Sequence, residues 1–149
     1  MNTRSRTAGA VALALAGALA LAGCAAAQAP KPTHTAPQTF TAVGDLILNS
    51  SPLSGDGIGA NADGSCNGMN GYSDINEGTQ VNIYDASGKI VASGTLEAGT
   101  GDTSQCQFDY SISGIPRGSD FYQIEVSHRG KITESAAAML KPVSLSLGQ

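Results

Sequence analysis

The chain has 149 residues, a net charge of −4, and 13% charged and 5% aromatic residues. Its length fits a single domain with one modest core. Eight basic residues stand against twelve acidic ones and form no stripe, which argues against nucleic acid as a partner, because nothing would release counterions from phosphates.

Residues 1–23 read as an export signal. Arg4 and Arg6 form a charged start, Ala10 to Ala22 an apolar run of Ala, Leu and Val, and Ala22 and Gly23 supply the small residues that a signal peptidase needs before its cut. The run is short of the roughly 18 apolar residues that a permanent membrane helix requires. Leu21-Ala22-Gly23-Cys24 closes it in the order of a lipobox. The Cys24 thiol thereby resembles the acceptor of a diacylglyceryl group in bacterial lipoproteins, and cleavage before it would leave a lipidated first residue. Two or three acyl chains give firm anchoring, since each buried methylene contributes about 0.8 kcal/mol. Loss of residues 1–23 leaves six basic residues against twelve acidic ones, a net charge of −6. The lipid rather than a polybasic segment must therefore hold the protein at the membrane surface. The expected location is the outer face of the cytoplasmic membrane.

Residues 24–38 hold Cys24 and a tether of small and polar residues with Pro30, Pro32 and Pro37. In a polyproline conformation of about 3.1 Å per residue, the tether spans roughly 40 Å. His34 lies within it and carries no expected role.

Residues 39–149 read as one β domain. Period-two alternation begins at Phe40 and predicts a strand to Leu48, weakened by Gly44. Residues 49–71 are rich in Gly, Ser, Asn and Asp and read as a long irregular loop pinned by Cys66. Thr79 to Asp85 and Lys89 to Leu96 read as a hairpin around Asp85-Ala86-Ser87-Gly88. Cys106 to Ser113 alternates most clearly, with Cys106, Phe108, Tyr110 and Ile112 on one face, and Ile115-Pro116-Arg117-Gly118 reads as the turn that ends it. Phe121 to Ser127 and Lys131 to Ser135 follow, joined at His128-Arg129-Gly130. An Ala-rich helical turn over 136–140 and a last strand with Val143, Leu145 and Leu147 complete the chain. About seven short strands at this spacing predict an all-β, small antiparallel sandwich. Cys66 and Cys106, left over once Cys24 is assigned to the lipid, predict one disulfide in an oxidising compartment.

Two resemblances attach to these residues. Val81-x-Ile83-x-Asp85-x-x-Gly88-x-Ile90 with Phe121-Tyr122-x-Ile124-x-Val126 and Gly130 resembles the immunoglobulin-like, prealbumin-like sandwich modules of carboxypeptidase regulatory domains and surface proteins. Cys106-Gln107-Phe108 stands where those modules carry a Gly-x-Phe strand entry. The lipobox with Gly71-Tyr72-Ser73-Asp74-Ile75, Gly78-Thr79 and Glu125-Val126-Ser127-His128-Arg129-Gly130 looks like small, mostly uncharacterised lipoproteins of actinobacteria. That likeness implies an envelope location and no particular reaction.

Chemistry-bearing residues are few. His128 is the only histidine of the β domain, there is no Gly-x-Ser-x-Gly elbow, and both domain cysteines are committed. No metal-ligand spacing involves the cysteines, and no cofactor is expected. The loop from Asp56 to Asn70, with Asn61 and Asp63, holds oxygen ligands but lacks the EF-hand order, so calcium remains the lesser reading beside ordinary turn chemistry. Tyr72, Asp74, Ile75 and Glu77 form one candidate binding patch and the His128-Arg129 hairpin a second, because Tyr and Arg carry much of the binding energy of exposed loops. The competing reading has Tyr72 covering the edge of the core and Asp74 closing an Asx turn. The function expected by elimination is a non-catalytic, surface-displayed module that binds an envelope protein or glycan. The alternatives are a carrier, which needs an apolar cavity, and an enzyme, which needs His128 within reach of a serine and a carboxylate.

Overall fold

A computed structural model describes residues 38–50 and 57–148. The expectations for the signal, Cys24, the tether and Asp56 fall outside the described residues. Ten strands form two sheets that share one core: β1 (Thr39–Asn49), β2 (Ile58–Ala60), β3 (Ser65–Gly68), β4 (Gln80–Tyr84), β5 (Ile90–Thr95), β6 (Gly99–Gly101), β7 (Gln105–Pro116), β8 (Phe121–Val126), β9 (Lys131–Ser135) and β10 (Val143–Leu147). The larger sheet has the order β10-β1-β7-β6-β3-β2 and the smaller β5-β4-β8-β9. This is the all-β sandwich that the alternation predicts, with the one disulfide expected from the cysteine count and three strands more than the estimate of seven.

Alternation decides which side chains enter the core. Leu46 and Leu48 of β1, Phe108, Tyr110 and Ile112 of β7, Val81 and Ile83 of β4, and Tyr122 and Ile124 of β8 are all buried between the sheets. Full burial of each large side chain contributes about 1.5–3 kcal/mol. The chain changes sheets after β5, where Leu96 bridges Tyr110 and the Glu97 N–H donates to the Asp109 carbonyl.

The structure corrects three expectations. The long strand does not stop at Ser113. Phe40 pairs with Ile115 and Ala42 with Ile112, so β7 carries one extra residue there, a bulge with Gly114 at φ 77°. The bulge resets the inward phase, which is why Ile115 is buried on an odd-numbered position and belongs to the strand rather than to a turn.

The segment 49–71 is not wholly irregular. β2 and β3 form a hairpin, β3 pairs with β6, and β6 pairs with β7. These are strands of three or four residues held by backbone hydrogen bonds, too short and too polar for a legible alternation. Cys66 of β3 and Cys106 of β7 are bonded, with Cα atoms 5.9 Å apart.

The sandwich is not purely antiparallel. β10 runs parallel to β1, Gly44 opposite Val143 through Leu48 opposite Leu147. A single 3-10 turn at Ala138–Leu140, anchored by buried Met139, carries the chain from the edge of the smaller sheet to that of the larger. Alternation reports which face is buried and says nothing of strand direction.

Candidate functional site

The two candidate patches, more than fifty residues apart in sequence, are one cluster in space. Tyr72 ends a 3-10 turn at Asn70–Tyr72, and the chain then folds back over β3, where the Gly68 N–H donates to the Ile75 carbonyl at 2.9 Å. Ile75 is fully buried and anchors this loop in the core, so it is not part of any binding face. Thr79 donates its hydroxyl to the Asp74 carbonyl at 2.7 Å and receives the Asn76 N–H at 2.9 Å, fixing the loop from its other side.

Arg129, in the β8–β9 hairpin, reaches across to this loop. Its Nε donates to Asp74 Oδ2 at 2.9 Å, its Nη2 meets Asp74 Oδ1 and donates to the Gly71 carbonyl at 2.6 Å, and its Cζ lies 5.2 Å from the Tyr72 ring centroid. Asp74 thus spends its carboxylate on Arg129 rather than on an Asx turn. The Arg129 guanidinium, with help from the Ser127 hydroxyl, holds the Asp74 carboxyl down at about 2, while Asp74 raises Arg129 in turn. Tyr72 is half-buried against the edge of the core, its ring facing Gly57. Sequence reasoning missed the Gly71 carbonyl and Ser127, whose roles exist only because the two loops meet.

Glu77 and His128 differ from these three residues. Both are exposed. Glu77 has no side-chain partner among the described residues, and His128 Nδ1 lies 3.5 Å from the Ser127 hydroxyl. The order Asp74–Ser127–His128 places the serine between acid and imidazole. In a nucleophilic relay the imidazole must stand between the serine and the carboxylate that orients it, so these three do not form one.

The pair has a pH signature. Because the folded Asp74 carboxyl titrates below its ordinary value of 3.8, its stabilisation is complete above that pH and is lost as the pH falls through about 2. The two side chains are 28% and 40% exposed, so solvent screening limits the contribution to about 1 kcal/mol. Arg129→Ala and Asp74→Asn should each lower stability by about that amount at neutral pH and flatten its decline between about pH 4 and 2 relative to the parent. Urea melts across that range check both results.

Among the described residues of the loop read as a lesser calcium candidate, Asp63 accepts the Ser65 N–H at 3.0 Å and hydroxyl at 2.7 Å, and Asn61 donates to Ser65 at 2.9 Å. These bonds close the β2–β3 turn. No three His, Cys, Asp or Glu side chains gather in a metal-holding arrangement among the described residues. Among the described residues, a partly open groove at the edge of the sandwich, lined by Leu46, Ile124, Val126, Ile132, Leu145 and Leu147 together with Arg129 and Ser146, measures about 30 Å³, room for about one or two waters. The larger depressions, of about 450 and 280 Å³, are open to solvent beside the 3-10 turn that precedes β10.

No protein family, no curated protein sequence and no solved structure matches this chain.

Proposed function

We propose that the chain is a cell-envelope lipoprotein, anchored through lipid on Cys24 at the outer face of the cytoplasmic membrane, whose β-sandwich is a non-catalytic module binding an envelope protein or glycan. The observation that carries this reading is Leu21-Ala22-Gly23-Cys24 at the end of an apolar run behind Arg4 and Arg6. The Cys66–Cys106 disulfide supports it, since such bonds persist in oxidising compartments.

The position of the candidate loops supports it as well. β1 runs eleven residues from Thr39, which follows Gln38, to Asn49, roughly 35 Å at about 3.3 Å per residue. Tyr72 lies at the Asn49 end, its hydroxyl 3.4 Å from a Cβ built on Gly148, which itself abuts the Asn49 carbonyl. The cluster of Tyr72, Asp74, Glu77, His128 and Arg129 is therefore carried at the end of β1 remote from Gln38. Arg129, Asp74 and Tyr72 hold the two loops together and pre-shape that pole; Glu77 and His128 are left for a partner.

The test is capture from envelope extract by the chain from Cys24 to Gln149, immobilised through the Cys24 thiol. Glu77→Ala and His128→Ala should reduce capture of a reproducible partner by about tenfold, the effect of losing roughly 1.4 kcal/mol at an interface, with melting temperature unchanged. Equal capture by parent and both variants would contradict a binding role for this pole. Turnover of an envelope component abolished by His128→Ala in a folded protein would overturn the non-catalytic reading.

A further inference from the structure

Each sheet of the sandwich ends in two edge strands, β10 and β2 in the larger and β5 and β9 in the smaller. A strand edge presents unpaired N–H and C=O groups, and proteins guard such edges with short strands, bulges or charge. Three of these four are guarded. β2 has three residues, one of them Gly59. β5 bulges, since Ile83 pairs with Ala92 but Tyr84 with Ile90. β9 carries Lys131 and, on its inward row opposite buried Tyr122, Glu134. β10 has none of these devices. It reads Val143-Ser144-Leu145-Ser146-Leu147, keeps an unbroken register with β1, and has no strand beyond it among the described residues.

The free edge presents a defined set of groups. The Val143 carbonyl accepts the Tyr110 hydroxyl at 3.1 Å and the Leu147 carbonyl the Asn49 side-chain amide at 3.5 Å, so both turn toward β1. Main-chain groups alternate in direction along a strand, which leaves the N–H and C=O of Ser144 and Ser146, both exposed residues, directed away from it. On the inner side the edge borders a depression of about 450 Å³ at Val143 and Ser144 and the narrow groove at Leu145 to Leu147. Across that groove Ile132, on the inward row of β9 opposite buried Ile124, is 44% exposed. On the outer side lies uncompensated negative charge. The six strands of the larger sheet contain Asp45 and Asp109, which stand directly opposite each other, and no lysine, arginine or histidine. Like charges so placed repel, and each is held by a neutral donor at 2.8 Å, Ser144 for Asp45 and Gln107 for Asp109.

We propose that β10 takes up an extended segment of another polypeptide as a further strand of the larger sheet, a segment in which apolar and basic residues alternate. A run of main-chain donors and acceptors at strand spacing is met by another backbone, which supplies the affinity, while its alternate side chains supply the specificity. The pleat sends those side chains to opposite faces. Those turned inward cover Ile132 and Leu147 in the opening between β9 and β10. Those turned outward lie beside Ser144 and Ser146, two strand spacings or about 10 Å from β1, where a lysine or arginine reaches Asp45. A second copy of this chain does not complement the edge, because pairing β10 with its own copy doubles the carboxylates of the joined sheet and adds no cation. The assignment goes beyond the binding role of the loop cluster and requires neither lipid on Cys24 nor contact with Glu77 or His128.

The probe is a short peptide of strictly alternating valine and lysine, titrated into the chain from Cys24 to Gln149 with the Cys24 thiol alkylated. At a peptide concentration about ten times its Kd, amide exchange at Ser144 and Ser146 should slow about tenfold and stay unchanged in β2 and β5. A peptide with the same valines and lysines in two blocks, and one with glutamate for lysine, should each bind about tenfold more weakly, a loss of roughly 1.4 kcal/mol. Ser146→Pro deletes an edge N–H without touching the ladder to β1, a substitution that the open side of an edge strand tolerates. It should cut affinity about tenfold with melting temperature unchanged. Asp45→Asn, which keeps an acceptor for Ser144, should lose most of the preference for lysine over glutamate. No protection at Ser144 and Ser146, equal binding of the alternating and blocked peptides, full binding by Ser146→Pro, or an unchanged lysine preference in Asp45→Asn would overturn the proposal. So would a dimer of the chain alone that Ser146→Pro dissociates, which would give the edge to a second copy.

Discussion

Replacing Cys66 and Cys106 together by alanine should lower the stability of the domain by about 4 kcal/mol, the loop-closure entropy released when a 40-residue loop is opened in the unfolded chain. Total stabilities run from about 5 to 15 kcal/mol, so the variant would sit near the edge of folding. The loss should also be local. Among the described residues, backbone pairing joins β2 and β3 to the rest of the larger sheet through the three-residue strand β6 alone, and the one buried side chain between Ser65 and Gly68 other than glycine is Cys66 itself. Urea titration should show the midpoint falling, and amide exchange should show β2 and β3 opening before β7. A loss below about 1 kcal/mol would mean that the native contacts, and not the cross-link, hold this ribbon.

Gly44→Ala should destabilise by about 2–3 kcal/mol, the scale of a buried overpacking that forces the backbone to shift. A Cβ there would lie 2.0 Å from the Val143 carbonyl oxygen and 2.5 Å from the Tyr110 hydroxyl. The sign is the informative part, because Gly→Ala inside an ordinary strand gains about 0.5–1 kcal/mol. Tyr110 donates to the same carbonyl at 3.1 Å, and burial, with Asp45 and Glu134 adding to it, keeps the phenol protonated for that bond. Adding Tyr110→Phe should not rescue Gly44→Ala, since the carbonyl remains in the way. Thermal melts of the single and double variants check both statements, and a stabilised Gly44→Ala would contradict the parallel pairing of β1 with β10.

Gly44 illustrates what the sequence could and could not express. As a gap in an alternating strand it reads as weakness, whereas its lack of a side chain is what lets β10 and Tyr110 approach. The strands with strong alternation, β1, β4, β7 and β8, were legible because each has one wet and one buried face. β2, β3 and β6 were not, because backbone pairing and a disulfide hold them rather than apolar side chains. The disulfide itself was legible from the count of cysteines. The candidate residues were chosen for their chemistry, and their meeting was not readable: no pattern joins Asp74 to Arg129 until two sheets bring the loops together. That meeting also divides the set, since three of the residues bind one another and only Glu77 and His128 remain exposed without a part in the loop staple.

The most direct measurement of the anchored-module reading is the mass of the N-terminal peptide of the protein extracted from the membranes of its own cells. The expected peptide begins at Cys24, lacks residues 1–23, and carries a diacylglyceryl group on the thiol, with Cys24→Ser leaving the signal uncut or the protein released from membranes. An unmodified Cys24 thiol in membrane material, or a chain that still retains residues 1–23, would contradict it.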